Sequence, residues 1–126
     1  MINYKFNKNK KIVETTITGK TTINDFIRYI IALNNDKNLP ETLKIITDAT
    51  DGRFSEDVTP DDMFKIAEAR KRFLSKKYNM MRDAFLLSSS FETALGQLYK
   101  EYSKADDFSF NIFATKKAAL KWLNNE

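Results

Sequence analysis

The segment "LKIITDATDGRFSEDVTPDD", Leu43 to Asp62, holds the first residues able to do chemistry. Its apolar run stops at Asp48, and Thr50, Asp51 and Arg53 follow before a helix signal at Thr59-Pro60. Asp48 and Asp51 could hold a hydrated Mg²⁺, which takes carboxylate oxygen and water. Ser88, Ser89 and Ser90 form a second polar cluster after another apolar run. If both runs are parallel strands, the two polar tails share one rim, where open α/β sheets collect ligands. The amides that open the following helices would take an anion there, with Arg53 assisting. The plainer reading is that Asp, Thr and Gly serve a strand-to-helix loop and the serines serve as caps.

Composition narrows the chemistry. The chain has no histidine and no cysteine. This removes imidazole catalysis, thiolate nucleophiles, disulfides and nearly every zinc site. A receiver-type aspartyl-phosphate site needs an acid pair after the first parallel strand, and "TITGKTT" supplies none. "GKTT" lacks the upstream glycine of a phosphate loop and reads as a strand end followed by a cap. No cofactor is implied. No run approaches the ~20 apolar residues of a membrane span, and the N-terminus has no signal-peptide core, so a cytoplasmic protein is expected. The net charge of +4 is mild.

The positioning elements follow from periodicity. "INYKFN" and "KIVETTITG" alternate as two strands of a hairpin. Thr22 to Asp25 reads as a capping box, and Ile23, Phe26, Ile27, Ile30 and Leu33 recur at helical spacing. "LKIIT" is a third strand. Thr59-Pro60-Asp61-Asp62 opens a second helix, with Met63, Ile66, Ala67, Arg70, Leu74 and Tyr78 on its inner side. "AFLL", residues 84–87, reads as a strand covered on both faces. Ser89-Ser90-Phe91-Glu92 reads as another capping box, opening a stripe of Phe91, Ala94, Leu95, Leu98, Tyr99 and Tyr102. "DFSFNIF" alternates as a fifth strand, and Thr115 caps a last helix with Ala119, Trp122 and Leu123 inward. The order β-β-α-β-α-β-α-β-α predicts one α/β domain over 1–126 with a mixed sheet of about five strands. "AFLL" and "LKII" fit central strands, and the first and fifth fit edges.

Four pieces resemble the SpoIIAA-like family, relatives of the STAS domains that include anti-sigma-factor antagonists: "ITGKTTINDF", "LKIITDAT", "DAFLLSS" and "FATKKAALKWL". The resemblance implies a SpoIIAA/STAS-like fold and a regulatory binding role. In the antagonists an Asp precedes a phosphorylated Ser, then Ser/Thr and Gly. On "DATDG" Asp48 matches the Asp, Ala49 falls at the acceptor without a hydroxyl, Thr50 follows, and Gly52 is one residue late. The phosphoswitch is therefore not carried over.

The expectation is a non-enzymatic binding module. It would meet a protein partner or a small apolar or anionic ligand at the rim of Asp48, Thr50, Asp51, Arg53, Ser88, Ser89 and Ser90. A homo-oligomer is compatible with this reading. The enzyme alternative is a Mg²⁺-dependent carboxylate reaction on a phosphorylated compound. Nucleic-acid binding would rest on "EARKRFLSKKYNMMR", where Arg70, Lys71, Arg72, Lys76, Lys77 and Arg82 lie among aromatics. Those cations form no single helical stripe, so a solvated face is expected instead. A filled core is expected of the aromatics. The variant is that helices cover one sheet face only, leaving Tyr4, Phe6, Phe108 or Phe110 as an exposed patch.

Overall fold

The computed structural model describes residues 1–125 and contains nine elements in the expected order. They are β1 (Ile2–Asn7), β2 (Ile12–Thr21), α1 (Ile23–Asn35), β3 (Thr42–Phe54), α2 (Pro60–Leu74), β4 (Met80–Leu86), α3 (Ser90–Tyr102), β5 (Phe108–Phe113) and α4 (Lys116–Asn124). The strands stand in the sheet in chain order, β1-β2-β3-β4-β5. β1 is antiparallel to β2, and every later pair is parallel.

Right-handed crossovers between strands added always on the same side put their helices on one face. Accordingly α1, α2 and α3 pack on one core containing Phe26, Met63 and Leu95. α4 alone covers the other face, through Ala119 and Leu123 against Ile12, Ile46, Ala84 and Leu86. The strand order never reverses, so the sheet has no topological switch point and lacks the crevice where doubly wound folds hold nucleotides. No helix among the described residues is long and apolar enough to cross a membrane.

The helix starts follow their signals. Thr22 Oγ1 accepts from Asp25 N at 3.2 Å while Asp25 Oδ2 accepts from Thr22 N at 2.8 Å. Asp62 Oδ2 accepts from Thr59 N at 2.8 Å, with Pro60 first in α2. Thr115 Oγ1 accepts from Ala118 N at 3.2 Å.

The basic segment differs from the solvated face its spacing suggests. The amino group of Lys77 donates to the carbonyls of Leu33, Asn34 and Asp36, closing the C-terminus of α1. Lys71 Nζ donates to Tyr102 O at 3.0 Å, and Arg70 Nη2 to Ser103 O at 3.3 Å, at the end of α3. Arg82 Nη2 donates to Trp122 O at 2.6 Å at the end of α4, its guanidinium 4.3 Å from the Trp122 ring centroid. Four of the six cations thus answer the orphan carbonyls and negative dipole ends of three helices. Only Arg72 and Lys76 of the six remain exposed.

Three further readings are corrected. β4 starts at Met80 rather than Ala84, because Arg82 and Asp83 serve opposite faces of a strand that resembles a polar loop. The fully buried positions of α3 are Glu92, Leu95 and Gly96, with Leu98 and Tyr99 packed on the same core as expected, while Ala94 and Tyr102 are exposed and Phe91 is 58% exposed. A Cβ on Gly96 would lie 2.8 Å from Ile112 Cδ1, so the glycine lets α3 lie close to the Ile112 side chain of β5. Phe108 and Phe110 are buried, and Tyr4 and Phe6 pack on the α1–α3 side, so no exposed aromatic sheet patch forms.

Candidate functional site

The segment expected to be a loop after Asp48 is strand. β3 continues through Phe54, and the strand-to-helix connection is residues 55–59. The cause lies in β2, whose ten residues outlast the apolar run of β3 and offer backbone partners as far as Thr21↔Phe54. Asp48 pairs with Thr16 and Asp51 with Thr18, leaving Ala49 and Thr50 opposite Ile17 alone. This bulge re-aims the strand. β4 pairs with β3 only as far as Asp48↔Leu86, so the extension is bonded to β2 on one side and faces the serine loop on the other.

The glycine here has a structural reason. A Cβ on Gly52 would lie 2.9 Å from the Ile17 carbonyl oxygen and 2.8 Å from Ile17 Cγ2. Because the obstacle includes backbone, Gly52→Ala should destabilise the fold by about 1–3 kcal/mol. Denaturant unfolding that left the midpoint unchanged would contradict this close approach.

The two polar tails meet. Ser88 Oγ donates to Thr50 O at 3.4 Å. Asp48 Oδ1 accepts from Thr50 N at 3.0 Å and from Thr50 Oγ1 at 2.6 Å, so its carboxylate is already engaged. Ser89 Oγ accepts from Glu92 N at 3.1 Å and donates to the Glu92 carboxylate, whose Oε2 also accepts from Phe54 N at 3.2 Å. Glu92 therefore does not return to the Ser89 backbone as a capping box would; it ties α3 to the end of β3. Ser90 is the first residue of α3. Asp48, Thr50, Asp51, Arg53, Ser88, Ser89 and Ser90 are all exposed. Among the described residues no group of three or more His, Cys, Asp or Glu is placed to hold a metal ion.

Phe91 belongs to this surface and is missed by sequence reasoning, which puts it in the core stripe. Its signal is its place directly after three serines, ahead of the first inner residue of α3.

A second feature lies beneath the extension. A cavity of ≈ 80 Å³ opens between the sheet and α1–α3. Its walls are mostly apolar, with Ile17, Phe26, Ala49, Ile66, Phe85 and Phe110 among them. Asp83 also lines it, only 7% exposed, with Oδ1 accepting from Thr47 Oγ1 at 3.0 Å. Burial pushes the Asp83 carboxyl up to about 7. Tyr29 and Tyr99 share the lining, and burial raises both hydroxyls, that of Tyr99 to about 12.

No protein-family model and no curated protein matches the chain. Solved structures do. An uncharacterized protein of the DUF3478 family from Shewanella loihica PV-4, described as having a SpoIIAA-like fold, aligns with a TM-score of 0.61 and 16% identity. The alignment covers 98% of this chain and 92% of that one. The anti-sigma factor antagonist SpoIIAA, in its unphosphorylated form, aligns with a TM-score of 0.55 and 12% identity over 100% of both chains. With the strand order and the single helix on the second face, these likenesses establish that the chain has the SpoIIAA-like fold.

Proposed function

We propose that the protein is a non-enzymatic binding module whose rim, formed by the end of β3 and the start of α3, docks a protein partner. The carrying observation is Phe91, 58% exposed directly after the exposed Ser88–Ser90 run. Large aromatic side chains are favoured as the buried anchors of protein interfaces. Without a switch point, the strand ends offer an open surface rather than a nucleotide-type crevice. The name of one similar structure, an anti-sigma factor antagonist, describes a protein that acts on another protein, which supports the same reading. Ala49, at the acceptor position of that family's motif, is buried and has no hydroxyl, so any regulation of this module runs by a different route.

Affinity capture from a lysate of the source cells, with the purified protein as bait, tests the proposal. Loss of an aromatic anchor costs on the order of 2 kcal/mol, so Phe91→Asp should lower retention of a stoichiometric partner by at least about tenfold. Ser88→Lys should weaken it as well, while Arg72→Glu, on the exposed side of α2, should not. A wild-type bait that retains no partner, or a Phe91→Asp bait that retains it undiminished with unchanged circular dichroism, overturns the reading.

A further inference from the structure

We propose that the cavity beneath the β3 extension is a second binding site, for a small molecule with a short apolar body and a protonated amine head that pairs with Asp83. The site is separate from the rim surface and does not depend on its role.

The argument begins with an unanswered acceptor. Asp83 Oδ1 is held by Thr47, but Oδ2 accepts no hydrogen bond from any described residue. Asp83 as a residue is only 7% exposed, lines the cavity, and forms no ion pair among the described residues. Its neighbours on each packed element are Thr47 on β3, Tyr29 on α1 and Tyr99 on α3. Both phenols stay neutral near pH 7, and none of these groups is a cation. Arg53 and Glu92 also line the cavity, of opposite charge, with Arg53 exposed at the surface.

An unpaired carboxylate against apolar walls is costly, and such groups mark sites where a ligand completes the pairing. An ammonium head supplies both the missing donor and the missing charge. A carboxylate ligand would face Asp83 with like charge. An alcohol would donate a hydrogen bond but leave the charge uncompensated, about half the strength of a charge-assisted bond. The size follows from the volume. A cavity of ~150 Å³ takes the six heavy atoms of benzene, so ≈ 80 Å³ admits a chain of about three to four heavy atoms.

The probe is n-propylamine, with n-propanol and propionate as controls, titrated near pH 7.5 and followed by calorimetry and by NMR shifts. The amine should bind at least tenfold more tightly than the alcohol, and propionate should not bind. The shifts should centre on Ile17, Phe85 and Phe110. Asp83→Asn, close to isosteric, should weaken the amine at least tenfold, and Phe91→Asp should leave it unchanged. The proposal is overturned if propanol binds as tightly as propylamine, if Asp83→Asn binds undiminished, or if shifts appear only at surface acids. A wild-type protein that binds the amine but captures no partner would sink the rim reading alone.

Discussion

Unfolding followed between pH 5 and pH 8 is expected to show the protein losing on the order of 3 kcal/mol of stability as the pH rises. The cause is Asp83, whose carboxyl is pushed up to about 7 in the folded chain by burial, its bond from Thr47 opposing only part of that rise. In the unfolded chain a carboxyl titrates near ~3.9. Between those values the folded chain holds one proton more than the unfolded chain, so stability falls with pH, at up to ~1.4 kcal/mol per unit. The contribution is fully present below ~4 and is lost as the pH passes through about 7. For a domain of this size the change corresponds to a fall of about 10 °C in Tm. Asp83→Asn keeps the shape and removes the titration. Its profile should be flat, so its stability relative to the wild type should rise by about 2–3 kcal/mol between pH 5 and pH 8. A wild-type profile as flat as that of Asp83→Asn would mean the carboxyl is solvated.

Replacement of Arg70 by alanine should cost about 2–4 kcal/mol, as large-to-small changes in a core do. The side chain is 2% exposed, its guanidinium 3.8 Å from the Phe108 ring centroid. Nη2 reaches Ser103 O at 3.3 Å and Nη1 reaches Ser75 Oγ at 3.4 Å, while Nε has no partner. One group thus joins α2, the end of α3 and β5, at the expense of burying a charge with one donor unanswered. Arg70→Met fills much of the same volume without that charge, so it should recover half or more of the loss. Alanine and methionine variants of equal stability would show that the charge and its bonds matter more than the packing. An alanine variant within ~1 kcal/mol of wild type would show the guanidinium to be solvated.

Arg70 also shows what the sequence could disclose. Its helical spacing places it on the inner side of α2, and it is there; its membership of a basic run suggests solvent, and that is wrong. Element order, edge and central strands, and the shared border of Asp48 and Ser88 were legible because apolar periodicity and right-handed crossovers act locally. The extension of β3 was not, since "DATDGRF" has loop composition and becomes strand only where β2 supplies its backbone partners. The rotation of α3 was hidden because Gly96 and Glu92, not apolar residues, occupy inner positions. The cavity needs three helices and four strands at once, and its only trace in the sequence is a lone acid between Arg82 and Ala84.

Strand order identical to chain order carries a consequence for how the molecule is made. Each strand joins the outer side of the one before it, so a polypeptide emerging from the ribosome finds every docking edge already laid down by earlier residues. Nothing waits for a distant segment to be inserted between two others, which keeps loop-closure distances short and the exposure of unfinished edges brief. The hairpin of β1 and β2 is the seed of that growth, and α4 is the last piece to settle, sealing Ile46, Ala84 and Leu86 from water.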